Sequence, residues 1–369
     1  MFGAAARVLG GTAAVAAGGW LLRAVQGTPA ALGAADIGAS AKRSPNWRDG
    51  VFVNREPASE VQLSREDQFA LVRDLLTGGR QQHPPREIPL VRPAPDTAPA
   101  DLAATWYGHS SVMIEVDGYR VLADPVWSER CSPSRVIGPQ RLHPVPVDLD
   151  ELPAIDAVII SHDHYDHLDI DTIMALARSQ RAKFYVPLGI GAHLRTWGIP
   201  AARIVELDWD QSAQLGSLTI VCTPARHFSG RFLTRNVTLW SSWAVIGPRH
   251  RVFFGGDTGY TEGFTGIGDT YGPFDLTLMP IGAYHPGWPD IHMNPEEAVR
   301  AHRDVSDTGL LVPIHWATFR LAPHAWSEPV ERMLTAAAAE GVAVATPRPG
   351  EQVSADTGRS PENQTWWRG

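Results

Sequence analysis

The chain has little of several features that would assign it to a class at once. Only two cysteines, Cys131 and Cys222, occur among its 369 residues. Two are too few for a disulfide framework, so both are expected to be buried thiols. Aspartate and glutamate (40) outnumber lysine and arginine (32), which gives a formal net charge of −8. Nucleic acid is therefore disfavoured as a main partner, because it would need a basic surface.

Long apolar runs are also absent from most of the chain. Residues 8–22 are apolar or small and follow Arg7, but they fall short of the roughly 20 residues that a membrane-spanning helix needs. The Ala- and Gly-rich leader, residues 1–42, is interpreted as an export signal or a membrane anchor, with a leader containing only a short helix as the alternative. The protein is accordingly expected to be membrane-associated or exported, and a cytoplasmic protein is the alternative.

Apolar β-rich segments are abundant. Residues 43–103 are turn- and proline-rich apart from a helix predicted at 64–79, and they are expected to form an N-terminal extension that wraps the main domain. Strands at 105–116 and 119–126 flank Asp117-Gly118, a strong hairpin signal. Further strands are predicted at 156–161, 183–187, 203–207, 217–225, 241–247, 251–257, 276–282 and 310–315, and helices at 169–179, 191–197, 295–305 and 329–340.

This alternation predicts the fold class. Continuous apolar strands interspersed with amphipathic helices indicate an α/β fold in which helices cover the sheets. Two sheets packed together with helices outside each, a four-layer αβ/βα sandwich, account for the number of strands and for their apolar character. This domain is expected to occupy residues 104–350, and residues 351–369 form a C-terminal tail.

The most informative stretch is IISHDHYDHLD, residues 159–169, in which histidines and aspartates directly follow an apolar strand. His162 and His164 lie two positions apart, so in an extended chain both imidazoles share one face and can reach one metal ion. Asp166 and His167 follow in the turn into the next helix and complete a donor set for two adjacent divalent ions. Imidazole and carboxylate ligands without thiolate suit zinc, with iron or manganese as alternatives.

Three further ligand-type residues each follow a separate β-run. His227 comes after TIVCTPAR, Asp257 after VFFGG and His315 after LLVPI. Because ligands bind at the carboxyl ends of strands in α/β folds, these side chains are expected to converge on one rim. A single histidine in a globular protein is usually a packed or surface group, but this concentration of ligand types in one pattern favours a metal site.

The ordered pattern resembles the metallo-β-lactamase superfamily, whose fold is an αβ/βα sandwich with a dinuclear metal site on one edge. The segments SHDHYDHLD, PARHFSGR, FFGGDTGY and IHWATFRLAPH are similar to the N-acyl-phosphatidylethanolamine-hydrolysing phospholipase D branch and its bacterial relatives. The segment RSPNWRDGVFVN, in the extension, is also similar to that branch. The resemblance therefore extends over most of the chain beyond residue 43.

The resemblance implies a ligand role for seven residues: His162, His164 and His227 for a first zinc, Asp166, His167 and His315 for a second, and Asp257 as the bridge. It also disfavours a role in antibiotic resistance, since the β-lactam-hydrolysing members typically carry Cys or Ser in place of Asp257.

A phosphodiesterase activity follows from this resemblance. Hydroxide held between two zinc ions would attack the phosphorus of N-acyl-phosphatidylethanolamine and yield N-acylethanolamine and phosphatidic acid. Asp166 and His292 are expected to be catalytic, His292 through substrate contact or proton transfer. Tyr165, His109 and Tyr284 are candidate pocket residues. The alternative for His109 is a structural role or a role in supporting the metal ligands, and the alternative for Tyr284 is loop packing.

Two other functions stay open at this point. A related metal-dependent hydrolase of a lactone or small phosphodiester would share the ligand set, and an apolar groove leading to the metals would favour the phospholipid instead. A non-catalytic scaffold is disfavoured, because buried unpaired histidine and aspartate are costly without metal. A phospholipid or other phosphodiester is thus the expected partner; a membrane surface and a homodimer are left open.

Overall fold

The computed structural model describes residues 41–58, 80–93, 98–355 and 365–368, together with the single positions 37, 66 and 73. The predictions for the leader, 1–42, and for the helix at 64–79 therefore fall almost wholly outside the described residues. Within the described ranges, no helix has the length and apolar character that a membrane crossing requires.

The described strands form two large sheets and a small ribbon. In chain order they are β1 (Trp47–Arg48), β2 (Val51–Phe52), β3 (Leu102–Gly108), β4 (Ser111–Val116), β5 (Tyr119–Ala123), β6 (Ala157–Ile159), β7 (Lys183–Pro187), β8 (Ile204–Leu207), β9 (Ser212–Leu215), β10 (Leu218–Thr223), β11 (Ser242–Ile246), β12 (Arg251–Phe254), β13 (Leu276–Pro280), β14 (Leu310–Ile314) and β15 (Gln352–Ser354). One sheet has the order β15-β3-β4-β5-β6-β7-β8 and the other β14-β13-β12-β11-β10-β9, and β1 pairs with β2.

The described helices are α1 (Ile170–Ser179), α2 (Ile190–Thr196), α3 (Gly263–Tyr271), α4 (Pro295–Val305) and α5 (Glu328–Glu340). The bounds predicted for α4 are confirmed, since Asn294 caps it in a reciprocal pair with Glu297 and Pro295 opens it. Asp169 caps α1, and its side chain accepts a hydrogen bond from the Asp171 amide. The sequence analysis missed α3 because its segment, GFTGIGDTY, is rich in glycine. Burial of Phe264 and Ile267 stabilises that helix instead.

The hairpin at Asp117-Gly118 is confirmed, with φ of 47° and 85° at its two turn residues and Val116 paired with Tyr119. The single strand predicted at 105–116 is wrong, because the chain reverses at His109 between β3 and β4. Apolar β-formers on both sides of the reversal hide it, and His109 adopts a left-handed φ of 52°, a conformation that is rare for residues other than glycine.

The two sheets pack face to face around one core. Trp106 and Ile159 of the first sheet lie in the same cluster as Trp243 and Phe254 of the second. Helices α1 and α2 cover the outer face of the first sheet in a separate apolar cluster, whereas Phe264 of α3 meets the ring of Phe253 in the second. The predicted four-layer sandwich is therefore confirmed.

The strand directions bring several strand ends to one edge. β5 to β8 run parallel, and so do β12 to β14. β3 is antiparallel to β4, which is antiparallel to β5, so β3 and β5 run in the same direction. In the other sheet β10 and β12 run in the same direction, because each is antiparallel to β11. The segments that follow β3, β5, β6, β10, β12 and β14 can therefore meet where parallel sheets place their sites.

Replacing Trp243 with alanine is expected to lower the free energy of unfolding by about 3–5 kcal/mol. Its side chain is fully buried between the sheets, and its indole donates a 3.0 Å hydrogen bond to the Ile160 carbonyl. Denaturant unfolding measures the change, with the exposed Leu233→Ala as the matched control. Equal stability of the two variants would contradict this description of the core.

Candidate metal centre

The segment after β6 supplies four of the potential metal ligands: His162, His164, Asp166 and His167. It passes close to the residues that follow β12, where Gly256 has a φ of 59° and an added side chain would meet the Cβ of Ser161 at 2.6 Å. Only glycine allows the two strand ends to approach this closely. The next residues, His162 to His167, thereby lie beside Asp257.

The first predicted ligand set comes together. His162 Nε2 lies 2.7 Å from His164 Nδ1, and His227 Nε2 lies 3.4 Å from the same atom. One ligand atom from each of the three residues lies within 4.8 Å of the other two. Three imidazole nitrogens in this arrangement can face a single ion.

The second predicted set also comes together, with one addition. Asp166 Oδ2 lies 3.4 Å from His167 Nε2 and 3.5 Å from His315 Nε2. His109, a candidate pocket residue in the sequence, places its Nε2 3.0 Å from the same oxygen. The unpredicted turn between β3 and β4 brings it there, and the Thr318 hydroxyl accepts a 2.6 Å hydrogen bond from its backbone N–H.

Asp257 lies between the two sets. Its Oδ2 is 3.0 Å from His315 Nε2 and 3.2 Å from His167 Nε2. The same oxygen is 3.8 Å from His227 Nε2 and 3.9 Å from His162 Nε2. One carboxylate therefore faces imidazoles of both groups, the position that a bridging ligand would take.

The donor atoms fit a pair of divalent metal ions. His167 Nε2, His315 Nε2 and Asp257 Oδ1 are buried and have no hydrogen-bond partner. An unsatisfied buried polar group costs about 1–3 kcal/mol, and native structures contain few of them. Nitrogen and carboxylate donors without thiolate match zinc, iron or manganese.

Charge balance supports the same conclusion. Burial alone would raise the pKa of Asp257, but His167 and His315 hold it well below its ordinary value. Burial likewise opposes the charged form of His315, yet Asp257 and Asp166 raise its pKa to about 9. Without metal, the two carboxylates must therefore be balanced by protonated histidines, the task that a divalent cation performs.

The first ligand set, which contains His162 and His227, differs from the second in its protonation state. Burial, together with the neighbouring His167 and His164, lowers the pKa of His162 well below its ordinary value. Burial also lowers that of His227. Both imidazoles are therefore neutral at neutral pH, the form that binds a metal ion.

Asp124 is a further residue of the candidate site, and the sequence did not single it out. Its Oδ2 lies 2.6 Å from His167 Nδ1, and its Oδ1 accepts a 2.7 Å hydrogen bond from the Ser161 amide. A carboxylate behind a metal-binding histidine fixes its tautomer and ring orientation. Asp124 directly follows β5, so the pattern of a β-run ending in a ligand type would have found it.

Other groups orient the first set. The Ile291 carbonyl lies 2.8 Å from His227 Nδ1. Asn54, from the predicted N-terminal extension, bonds both the backbone N–H and the carbonyl of His227. Asp163 does not belong to the groups of potential metal ligands; its carboxylate accepts a 2.7 Å hydrogen bond from the Gly230 amide.

Of the remaining predicted residues, His292 and Tyr284 line a pocket, whereas Tyr165 packs against Arg231. His292 Nδ1 lies 3.7 Å from Asp257 Oδ2, at one wall of a pocket of about 400 Å³. Tyr284 lines the same pocket, but its hydroxyl donates a 2.7 Å hydrogen bond to Glu328. The ring of Tyr165 lies 4.0 Å below the Arg231 guanidinium.

Comparison with known proteins shows the family. Residues 119–316 match the Beta-lactamase superfamily domain. This chain belongs to the metallo-β-lactamase superfamily. Together with the cluster of potential metal ligands, this membership makes it a metal-dependent hydrolase, and it confirms the resemblance in the sequence.

Three similar proteins illustrate the range of relatives. An uncharacterized protein of Mycobacterium tuberculosis is 63% identical over 369 residues, which cover 99% of each chain. N-acyl-phosphatidylethanolamine-hydrolyzing phospholipase D 1 of Caenorhabditis elegans is 41% identical over 230 residues, 59% of this chain and 64% of that protein. Igni18, a metallo hydrolase from Ignicoccus hospitalis, has a TM-score of 0.54 at 25% identity, and the match covers 68% of this chain and 97% of Igni18.

Replacing Asp124 with asparagine is expected to weaken metal binding by about 10–100-fold. Asparagine keeps the shape of the side chain but removes the negative charge beside His167 Nδ1. Competition with a chromogenic chelator measures the affinity, with Asp307→Asn, at an exposed position, as the control. Unchanged affinity in Asp124→Asn would show that this carboxylate does not support the centre.

Chelator-stripped protein is expected to lose stability as the pH rises from about 6.5 to about 9. The folded-state pKa of His315 is raised to about 9, above the ordinary value of about 6.5. Protonation of His315 therefore contributes its full stabilisation below about pH 6.5, and this contribution is lost as the pH rises through about 9. Thermal unfolding at both pH values measures the effect, and the zinc-loaded protein is the control. A stripped protein of equal stability at both values would contradict this charge balance.

Proposed function

We propose that this protein is a dinuclear metal phosphodiesterase that hydrolyses N-acyl-phosphatidylethanolamine to N-acylethanolamine and phosphatidic acid. The observation that carries the proposal is Asp257, whose one carboxylate oxygen lies within 3.9 Å of imidazoles from both histidine sets. The substrate class is supported by the similarity to N-acyl-phosphatidylethanolamine-hydrolyzing phospholipase D 1 of Caenorhabditis elegans.

In this proposal seven predicted ligands would hold two ions: His162, His164 and His227 would hold the first, Asp166, His167 and His315 the second, and Asp257 would serve both. His109 is a further candidate for the second ion, because its Nε2 lies 3.0 Å from Asp166 Oδ2. Two zinc ions, or iron or manganese in their place, would supply Lewis acidity towards a phosphoryl oxygen and lower the pKa of water.

The residues around the ions position the substrate. His292 has a side chain that is 15% exposed, so it lies between the buried cluster and the pocket. Burial lowers its pKa to about 4, and it therefore meets the substrate as a neutral imidazole. From there it can contact the phosphodiester and relay a proton from the attacking water to the departing alkoxide.

The pocket beside His292 has walls suited to part of a lipid. Tyr284, Pro286, Pro289 and Pro323 give it an apolar lining, while other walls are polar. Its volume of about 400 Å³ lies in the range of small-molecule sites, about 300–1,000 Å³. It is therefore large enough for the headgroup region of a phospholipid.

The same volume favours a second candidate function. A small soluble phosphodiester or a lactone would fit inside the pocket entirely. A phospholipid would also bind through the part of the molecule that lies outside the pocket, whereas a small diester or lactone would not. Comparing the hydrolysis of a panel of substrates distinguishes the two functions.

The metal-loaded enzyme is expected to hydrolyse N-acyl-phosphatidylethanolamine with a higher kcat/KM than bis-p-nitrophenyl phosphate or a lactone. His164→Ala and Asp257→Asn are each expected to lower this value by at least about 100-fold, since each removes a metal ligand. His250→Ala is the control, because His250 pairs with Asp117 beside the β4–β5 turn.

Two results would contradict the proposal. Wild-type turnover in Asp257→Asn or His164→Ala would exclude the dinuclear site as the catalyst. A preference for the lactone or the small diester would retain the metal-dependent hydrolase and assign the second candidate function.

A further inference from the structure

Large apolar side chains are almost all covered in the described part of the chain. The exposed ones there are Leu90, Val136, Ile137 and Leu233. Leu90 is only 37% exposed, whereas Val136, Ile137 and Leu233 are 68%, 65% and 86% exposed. Single exposed apolar residues are ordinary, so the positions of these three decide their meaning.

Val136 and Ile137 form the tip of a loop between β5 and β6. Ser134 Oγ accepts hydrogen bonds from both of their backbone amides, at 3.2 and 3.1 Å. At the base, the Arg130 guanidinium donates a 2.6 Å hydrogen bond to the Gly138 carbonyl. These bonds hold the two side chains outward in an ordered loop.

Leu233 forms the tip of a second loop, between β10 and β11. Its turn is closed by a 3.1 Å hydrogen bond from the Thr234 amide to the Arg231 carbonyl. A second bond, from the Asn236 amide to the Ser229 carbonyl at 3.0 Å, closes the loop below it. Leu233 is thus also presented by an ordered turn.

Both loops contact the segment that carries several of the metal-ligand candidates. Arg231, in the second loop, donates hydrogen bonds to the carbonyls of Asp163 and Leu168, at 2.8 and 2.7 Å. Arg135, in the first loop, pairs with Asp171 at 3.1 Å. Each of the two loops that carry the apolar tips therefore contacts residues 163–171, the segment that contains His164, Asp166 and His167.

The two loops are basic in an acidic protein. Residues 127–141 and 228–236 contain five arginines and one glutamate, whereas the whole chain has a net charge of −8. Arg135 and Arg235 are the exposed arginines next to the apolar tips. Apolar tips flanked by arginine suit a bilayer surface, where apolar groups enter the interface and cations meet anionic headgroups.

We propose that Val136, Ile137 and Leu233 insert into the interface of a bilayer containing anionic phospholipid, with Arg135 and Arg235 facing the headgroups. Two separate tips of one and two residues suit shallow insertion, because a stable protein interface needs about 800 Å² of continuous surface per partner. Docking through these loops would bring the metal centre to the membrane surface, and the use of that placement rests on the proposed function.

Cosedimentation of the full chain with vesicles tests the apolar part. Wild-type protein is expected to bind vesicles of phosphatidylcholine with phosphatidylglycerol, and the triple variant Val136→Ser/Ile137→Ser/Leu233→Ser to bind them about tenfold more weakly. Leu90→Ser is the matched control and is expected to bind like wild type. Wild-type protein that does not bind, or a triple variant that binds as wild type does, would overturn the proposal.

The charged part has its own test. Arg135→Gln/Arg235→Gln is expected to lower binding to the anionic vesicles about tenfold, and added salt is expected to weaken wild-type binding. Arg303→Gln, in the pair with Glu340 on α4 and α5, is the control. Equal binding of wild type to vesicles of phosphatidylcholine alone would overturn the role of the arginines.

Failure of the proposed function can be distinguished from failure of the membrane-docking proposal. The triple serine variant is expected to keep wild-type hydrolysis of a diester that the soluble enzyme cleaves, such as bis-p-nitrophenyl phosphate, because its residues lie outside the metal centre. Protein that binds vesicles through the tips but does not cleave N-acyl-phosphatidylethanolamine would contradict the proposed substrate and support the docking surface.

Discussion

The carboxylate of Asp257 is the constraint on which the site depends. One of its oxygens lies within 3.9 Å of His162, His167, His227 and His315, and its side chain is almost fully buried. A charge in such a place is stable only when opposite charges surround it. The sandwich provides this environment, because the ends of strands from both sheets meet at one edge.

The surroundings of the cluster follow from the same requirement. Asp124 lies behind His167, and Asn54 and the Ile291 carbonyl hold His227. These contacts fix ring orientations that an unsupported histidine would not keep. The segment before β3 therefore contributes to the centre through Asn54, although it supplies none of the seven ligand candidates.

Much of this arrangement can be predicted from the sequence because its cause is local. A β-run that ends in a ligand type predicts both the strand and the side chain at its end, as for His227, Asp257 and His315. The reversal at His109 could not be predicted, since apolar β-formers continue on both sides of it. Helix α3 could not be predicted from propensity either, because packing of Phe264 and Ile267 stabilises a glycine-rich segment.

Anomalous diffraction from crystals of the metal-loaded protein tests the central claim most directly. The account predicts two peaks about 3.5–4 Å apart, one beside His162, His164 and His227 and the other beside Asp166, His167 and His315, with Asp257 in contact with both. A single peak, or two peaks of which only one touches Asp257, would contradict it.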